Sequence, residues 1–339
     1  MRCELPGRHV LCYDSHMRVV FMGSPEFAVP SLRALIRSCE VVGVVTQPDR
    51  PAGRGRAPRP PAIKSVAAEA GLPLIQPDTL RVPGVVDQLR AWSPGLIVVA
   101  AYGQILRPDV LALPSYGCLN VHASLLPRWR GAAPIQAAIL HGDSQTGVTI
   151  MKMEPGLDTG PILSQRSTTI LPDDTGGSLA LRLAGLGAEL LLAAIPAYTE
   201  GRLVPRPQDG ALATHAPMLT KAAGALDFRR PAADLARQVR AFEPWPGSYL
   251  TWCDLRLTVR QARAADETCG DIGAIGMVDG FPAVATSSGS LVLQTVQPAG
   301  RRPMSGPDFA RGARAFIGAR LPIAQETNAA GMDATGQEG

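Results

Sequence analysis

Short apolar runs rich in β-branched residues alternate with segments of helical periodicity between residues 18 and 198. The apolar runs are residues 18–22, 41–45, 74–75, 96–100, 118–121 and the less regular 161–169. Helical spacing occupies residues 27–39, 62–70, 85–92 and 178–198. Strands that alternate with helices pair in parallel, so this pattern predicts an α/β fold with a mostly parallel, doubly wound sheet. Ligands of such sheets bind beyond the carboxyl ends of the strands.

The texture of the sequence changes after Gly201. Residues 204–224 contain proline and glycine without periodicity, which predicts a linker between a first domain at 17–203 and a second at 225–322. The second domain carries short strand candidates at 248–252, 256–262, 272–278, 283–286 and 291–296, with helical patterns at 232–240 and 307–317. Several short strands separated by glycine and aspartate predict a small β-barrel.

The two ends of the chain fit neither pattern. We expect residues 1–16 to be a disordered extension and residues 323–339 to be a disordered polar tail. Met17 directly precedes the first strand, so the sequence is compatible with translation that starts at Met1 or at Met17.

Composition argues against several classes of protein. No uninterrupted apolar run approaches the roughly 20 residues of a membrane span, and residues 1–16 lack a secretory signal, so we expect no membrane association. The six cysteines form no C-x-x-C pair, which favours a reducing cytoplasm and argues against a zinc site or a disulfide framework. The five histidines show no metal-ligand spacing, and we expect no metal cofactor.

The loop after the first strand reads Gly23-Ser24-Pro25-Glu26-Phe27. It lacks the G-x-G-x-x-G fingerprint of dinucleotide binding, and proline stands where a backbone N–H would meet the pyrophosphate. No G-x-x-x-x-G-K-[ST] motif occurs either. Nicotinamide chemistry and nucleoside triphosphate hydrolysis are therefore not supported.

Residues 47–61, QPDRPAGRGRAPRPP, follow the second strand and form a basic segment. It contains four arginines, Arg50, Arg54, Arg56 and Arg59, and only one acidic residue, Asp49. Its glycines and prolines predict a long loop without regular structure. Two interpretations stay open: a solvated Arg-rich surface, or a mobile arm whose guanidinium groups grip phosphates.

Asn120 and His122 mark the carboxyl end of the strand that begins at residue 118. Being two residues apart, they leave the same face of the strand, while Val121 points into packing. Asp158 lies in the turn Gly156-Leu157-Asp158-Thr159-Gly160, where it caps the turn or approaches His122 from a neighbouring loop. An amide, an imidazole and a carboxylate together suit acyl transfer, because they supply oxyanion donors and a proton carrier. No G-x-S-x-G elbow indicates a serine nucleophile.

Longer stretches resemble the methionyl-tRNA formyltransferase family. The resemblance runs from about residue 17 to residue 322 and includes GSPEFAVPSLRAL (23–35), TQPDRPAGRGR (46–56), LNVHASLLPRWRGAAPIQAAI (119–139), GVTIMKMEPGLDTGPIL (147–163), FEPWPGSY (242–249) and LQTVQPAGRRPMSG (293–306). The resemblance implies a Rossmann-like catalytic domain followed by a small OB-like barrel. It further implies formyl transfer from 10-formyltetrahydrofolate to initiator methionyl-tRNA by a cytoplasmic, monomeric enzyme.

The same resemblance assigns roles to residues. Asn120, His122 and Asp158 match the catalytic set of the family. The loop that contacts folate matches Ser124, Leu125, Leu126 and Pro127. Arg54 matches a position that engages tRNA in the family. Apart from the resemblance, we expect contacts to tRNA from the basic residues Arg50, Arg56, Arg301 and Arg302. Two alternatives remain: formyl transfer to a sugar amine or purine precursor, which the C-terminal domain argues against, and a non-catalytic RNA-binding protein, which the intact polar set argues against.

Overall fold

The computed structural model describes residues 17–52 and 57–322. The expected extension at 1–16 and the expected tail at 323–339 lie outside the described residues. The described chain divides into two compact units. The first holds residues 17–52, 57–138, 143–172 and 178–218, and the second holds residues 139–142, 173–177 and 219–322. Most of the segment at 204–224 is thus grouped with the first unit.

The first unit is built on a mixed sheet. The strands of the unit, in this sheet and in two small two-stranded ladders, are β1 (Arg18–Gly23), β2 (Glu40–Val45), β3 (Arg50–Ala52), β4 (Ala57–Arg59), β5 (Leu74–Ile75), β6 (Leu96–Ala100), β7 (Cys118–His122), β8 (Arg130–Gly131), β9 (Gln145–Lys152), β10 (Ile162–Thr169) and β11 (His215–Ala216). The helices up to residue 199 are α1 (Val29–Ser38), α2 (Ala62–Glu69), α3 (Val85–Ala91), α4 (Pro108–Leu111), α5 (Pro134–Leu140) and α6 (Gly176–Thr199). Short 3-10 turns occupy Glu26–Ala28 and Gly210–Leu212 in the first unit and Ala222–Gly224 in the second.

The main sheet has the order β10-β9-β7-β6-β1-β2-β5 within the described residues. The pairs from β7 through β5 are parallel, whereas β9 adds to β7, and β10 to β9, in antiparallel orientation. The prediction of a mostly parallel α/β sheet is confirmed. Its apolar runs are continuous rather than alternating because both faces of these strands are buried; all five residues of β6 and of β7 are buried.

Helix α6 is the longest in the described part of the chain. By length and composition it would suffice to cross a membrane, with a mean hydropathy of 1.7 over 18 residues. Arg182 and Glu189 interrupt its apolar sequence, so the helix does not contradict the expectation that no uninterrupted apolar run approaches roughly 20 residues. Half of that window is buried inside the fold.

The second unit is an antiparallel β domain. Its strands are β12 (Ser248–Trp252), β13 (Leu255–Ala265), β14 (Ile275–Val278), β15 (Phe281–Ala285), β16 (Ser290–Pro298) and β17 (Met304–Ser305), and its helices are α7 (Ala232–Ala241) and α8 (Gly306–Gly312). The sheet order is β12-β13-β16-β15-β14, with β17 on β16. Its core holds Leu257, Leu291, Leu293 and Phe316, each fully buried. The strands predicted from turn spacing are confirmed.

The basic segment differs from its prediction. Strands β3 and β4 form a two-stranded antiparallel ladder, in which Arg50 pairs with Arg59. The prediction that proline and glycine exclude a regular element here was wrong. A two-stranded ladder with prolines tolerates them where the partner strand needs no N–H from that position.

Candidate functional site

Strand β7 carries the first two candidate residues. Asn120 and His122 are 8% and 5% exposed, and Val121 between them is packed in the core. In the sheet, β7 lies between β6 and β9, and Asn120 is aligned with Val99 on one side and Met151 on the other. In this type of fold, ligands bind beyond the carboxyl ends of the parallel strands, and both polar side chains lie at such an end.

Asp158 reaches the same place from its turn. One carboxylate oxygen, Oδ2, accepts the backbone N–H of Gly131 at 2.9 Å and lies 3.6 Å from Nδ1 of His122. The other, Oδ1, accepts Nδ2 of Asn120 at 3.4 Å. The Asp158 side chain is 13% exposed. The structure therefore brings the three predicted residues together, with the carboxylate between the amide and the imidazole.

The backbone of this turn is unusual. Asp158 has a φ of +53°, a left-handed conformation that side-chain-bearing residues rarely adopt. At Gly160, an added Cβ would meet the Lys152 carbonyl oxygen at 1.9 Å. Glycine is thus required where the turn passes close to the backbone of β9, and this close approach aims Asp158 toward β7.

The tautomer of His122 follows from its neighbour. Nε2 lies 2.9 Å from the carbonyl oxygen of Trp129. A carbonyl can only accept, so Nε2 carries a proton and donates it to that hydrogen bond. Nδ1 is the ring nitrogen that this hydrogen bond leaves available, and it is the one that faces Asp158.

The segment that supplies this carbonyl is itself held firmly. Trp129 has a φ of +61°, and its indole N–H donates to Asp143 at 2.8 Å. Arg128 makes two hydrogen bonds to the same carboxylate, at 2.9 and 2.6 Å, and lies over the Trp129 ring at 4.4 Å. This hydrogen bonding raises the pKa of the Arg128 guanidinium. Asp143 and Trp129 thus orient His122, and no spacing in the sequence indicates that they do.

The loop at 124–127 is anchored by side chains of β9 and β10. The Ser124 hydroxyl is fully buried and donates to the Arg128 carbonyl at 2.6 Å. Thr149 accepts the Leu126 N–H at 3.1 Å and donates to the Ser124 carbonyl at 2.6 Å, while Gln165 donates to the Leu126 carbonyl at 2.9 Å. Leu126 packs in the core, whereas the remaining loop members, Leu125 and Pro127, are half-buried.

Comparison with known families decides what this site belongs to. The model described as "Formyl transferase" matches residues 17–195, and the model described as "Formyl transferase, C-terminal domain" matches residues 218–314. A methionyl-tRNA formyltransferase of Myxococcus xanthus is 48% identical over 315 residues, which cover 91% of this chain and 99% of the relative. The chain belongs to the methionyl-tRNA formyltransferase family. It is a formyltransferase enzyme.

Solved structures agree on the fold of this formyltransferase. The methionyl-tRNA formyltransferase from Clostridium thermocellum aligns with a TM-score of 0.53 at 15% identity, covering 74% of this chain and 95% of that one. The protein HypX from Aquifex aeolicus, in complex with tetrahydrofolic acid, aligns with a TM-score of 0.58 at 17% identity. That alignment covers 89% of this chain, which spans about half (48%) of the HypX chain.

Of the basic residues expected to contact tRNA, Arg50 belongs to the first unit, and Arg301 and Arg302 belong to the second. Arg50 is exposed, and its Nη2 donates to the Gln47 side chain at 3.2 Å. Arg54 and Arg56 lie outside the described residues. Arg301 and Arg302 are exposed in the loop after β16, in the second unit.

Neither the Cys118 thiol nor the Ser124 hydroxyl, the two candidate nucleophiles near the site, is activated for attack. The Cys118 thiol lies at the start of β7, and burial raises its pKa to about 12, so it stays protonated at neutral pH. The Ser124 hydroxyl is committed to a backbone carbonyl. Among residues 17–52 and 57–322, no group of three His, Cys, Asp or Glu side chains is arranged to hold a metal ion.

Proposed function

We propose that this chain transfers the formyl group of 10-formyltetrahydrofolate to the α-amino group of initiator methionyl-tRNA for translation initiation. The products are N-formylmethionyl-tRNA and tetrahydrofolate. The observation that carries the proposal is the Asp158 carboxylate held among the Asn120 amide, the His122 ring and the Gly131 N–H at the end of β7. The site lies in a chain 48% identical to a relative named for this reaction.

The reaction defines what the site must supply. The acceptor amine attacks the formyl carbon only when neutral, because an ammonium has no lone pair. A C–N bond forms, an oxyanion develops, and the bond from the formyl carbon to N10 of the donor breaks. One proton leaves the acceptor nitrogen, and one arrives at N10. Direct transfer therefore needs hydrogen-bond donors for the oxyanion and a group that relays the proton.

The three side chains divide these tasks. The Asn120 amide has two N–H donors; one points to Asp158, and the second is left for the oxyanion. His122 has Nε2 committed to the Trp129 carbonyl, so its Nδ1 acts in the chemistry, as a donor when protonated. Asp158 stabilises that proton on Nδ1, accepts the proton that the amine releases, and passes a proton on to N10 of the donor as the bond to the formyl carbon breaks. The proposed chemistry uses no metal.

The folate donor is assigned to the loop of Ser124, Leu125, Leu126 and Pro127. The fixed geometry of this loop supports the assignment, since Thr149 and Gln165 anchor its backbone next to the reacting residues. Its half-buried apolar members offer the surface on which a flat pterin ring packs. HypX, the solved relative bound to tetrahydrofolic acid, shares the fold.

The tRNA acceptor is assigned to arginines in two places. We expect phosphate contacts from the basic segment, with Arg50, Arg54 and Arg56, and from Arg301 and Arg302 in the second unit, which we take to be an OB-like barrel. A monomer in the cytoplasm without membrane attachment is sufficient for this role. Arg54→Ala should weaken formylation of methionyl-tRNA while folate binding stays unchanged, and the tRNA affinity should fall steeply with salt.

One assay tests the reaction. Purified protein is incubated with 10-formyltetrahydrofolate and either methionyl-tRNA, an amino sugar or glycinamide ribonucleotide, and formylated product is measured by mass spectrometry. We expect product with methionyl-tRNA alone, and a loss of about 10²- to 10³-fold in kcat for Asn120→Ala and for Asp158→Ala. Folding of both variants is checked by circular dichroism. Normal turnover in either folded variant would refute the assignment, and product from another amine would refute the acceptor.

A further inference from the structure

Gln208 lies in the segment that sequence patterns assign to a linker, yet its side chain is bound to the site. Its Nε2 donates to the backbone carbonyls of Asp158, at 2.8 Å, and of Gly160, at 2.7 Å. Its Oε1 accepts Nη2 of Arg130 at 2.8 Å and Nε of Arg130 at 3.1 Å. Both donors and both acceptor lone pairs of the carboxamide are thus in use.

The hydrogen-bond partners of Gln208 belong to the two segments that hold the Asp158 carboxylate in place. On one side is the turn that carries Asp158, with its left-handed φ of +53°. On the other is β8, where Arg130 precedes Gly131, the residue whose N–H donates to the Asp158 carboxylate. Gln208 therefore links the backbone of Asp158 to the strand that binds its side chain.

The backbone around Gln208 is anchored on both sides. Arg206 pairs with Ile162 at the start of β10 through hydrogen bonds of 2.7 and 2.8 Å. Further along, β11 pairs in parallel with β8. Gln208 is thus delivered by a segment fixed to two elements of the first unit, and its position does not depend on a flexible tether.

The positive charge of Arg130 restricts which side chain can stand at position 208. Its side chain is 9% exposed, and within residues 17–52 and 57–322 it makes no ion pair with a carboxylate. A neutral amide at 208 satisfies this guanidinium without placing a second negative charge next to the Asp158 turn. A glutamate would satisfy Arg130 as well, but it would turn oxygen toward two carbonyl oxygens.

We propose that Gln208 is a positioning residue for formyl transfer, which fixes the Asp158 turn against β8 so that the carboxylate faces Asn120 and His122. This inference rests on the proposed function, because it concerns the same carboxylate. Gln208 contacts no reacting atom in this scheme. Residues that orient such groups typically change activity by about 10- to 100-fold when replaced, because small displacements of a reacting group are costly.

The test uses Gln208→Glu and Gln208→Ala in the full-length enzyme. We expect kcat to fall about 10- to 100-fold in both, while KM for methionyl-tRNA and for the folate donor changes by less than about threefold. Gln208→Glu is the sharper variant, because it keeps the length of the side chain and both acceptors for Arg130. If Gln208 served only to satisfy Arg130, Gln208→Glu would keep normal turnover, and the proposal would be overturned.

Gln238 provides a matched control in the second unit. Its Nε2 likewise donates to two backbone carbonyls, of Ala223 and Ala225, and its Oε1 accepts Nη1 of Arg230 at 2.9 Å. Gln238→Glu therefore makes the same chemical change in a similar network, whose partners Ala223, Ala225 and Arg230 all belong to the second unit. We expect it to lower thermal stability with kcat within about twofold of the parent enzyme. An equal loss of kcat in both glutamate variants would show a general folding effect and overturn the proposal.

A double-mutant cycle separates positioning from other roles. In an Asp158→Asn background, measured by single turnover, Gln208→Ala should cause little further loss, since the carboxylate it positions is gone. An undiminished loss would overturn the positioning role. The proposed function fails differently: the parent enzyme would then not formylate methionyl-tRNA at all, whatever residue stands at 208.

Discussion

Replacing Gly131 by alanine tests how closely two backbones must approach beside the Asp158 carboxylate. Gly131 has a φ of +116°, a region that residues with a Cβ rarely adopt. A Cβ added there would lie 2.6 Å from the carbonyl oxygen of Ala216 in β11. Because β8 and β11 are paired at this residue, either the ladder must open or β8 must move.

The magnitude follows from these two contributions. The backbone conformation costs about 1–3 kcal/mol, and the overlap with a backbone oxygen costs about another 1–3 kcal/mol. We therefore expect Gly131→Ala to lower the free energy of unfolding by about 2–6 kcal/mol. In a domain of this size, the melting temperature should then fall by about 4–24 °C. Moving β8 would also lengthen the 2.9 Å hydrogen bond from Gly131 to Asp158. A displacement of about 1 Å lowers kcat by about 10²-fold.

The measurement combines thermal unfolding, followed by circular dichroism, with formylation kinetics. Gly201→Ala is the matched control, because Gly201 also has a positive φ, +75°, but nothing lies within 4 Å of an added Cβ. It should lose about 1–2 kcal/mol of stability and keep its kcat. If Gly131→Ala had the same melting temperature as the control and kept full turnover, the close approach of β8 to β11 would not constrain the site, and the reasoning would be wrong.

Three further predictions follow from single contacts. Asp143→Asn removes the charge that holds Arg128 and Trp129, and kcat should fall about tenfold because the carbonyl that orients His122 moves; unchanged kcat would contradict this. Iodoacetamide at about pH 8 should label exposed Cys253 and spare Cys118, whose pKa burial raises to about 12, as peptide mass spectrometry would show. The hydrogen bond from Arg229 lowers the pKa of Asp227, so its stabilisation is present above the usual carboxyl pKa and is lost as pH falls through the lowered value. Asp227→Asn should therefore lower the melting temperature at about pH 7, and this difference should shrink towards pH 3; a constant difference would contradict the assignment.

Local pattern predicted six of the seven strands of the main sheet, and it missed β9 (Gln145–Lys152). Strands β1, β2 and β6 are mostly apolar and rich in valine, and a short run of this composition indicates a buried strand whatever surrounds it. Strands β8 and β11 were not predicted, because two residues are too few to show a period. Their pairing also joins residues 130–131 to residues 215–216, which are distant in the sequence.

The sequence by itself determined that Asn120 and His122 share one face at the end of a strand, because a strand alternates its side chains with a period of two. It also determined that Asp158 sits in a glycine-bounded turn. Only the tertiary structure decided that this turn meets β7, that the Trp129 carbonyl sets the tautomer of His122, and that Gln208 ties the turn to β8. Those contacts join residues up to 78 positions apart, as between Arg130 and Gln208, and depend on packing of whole elements rather than on local preference.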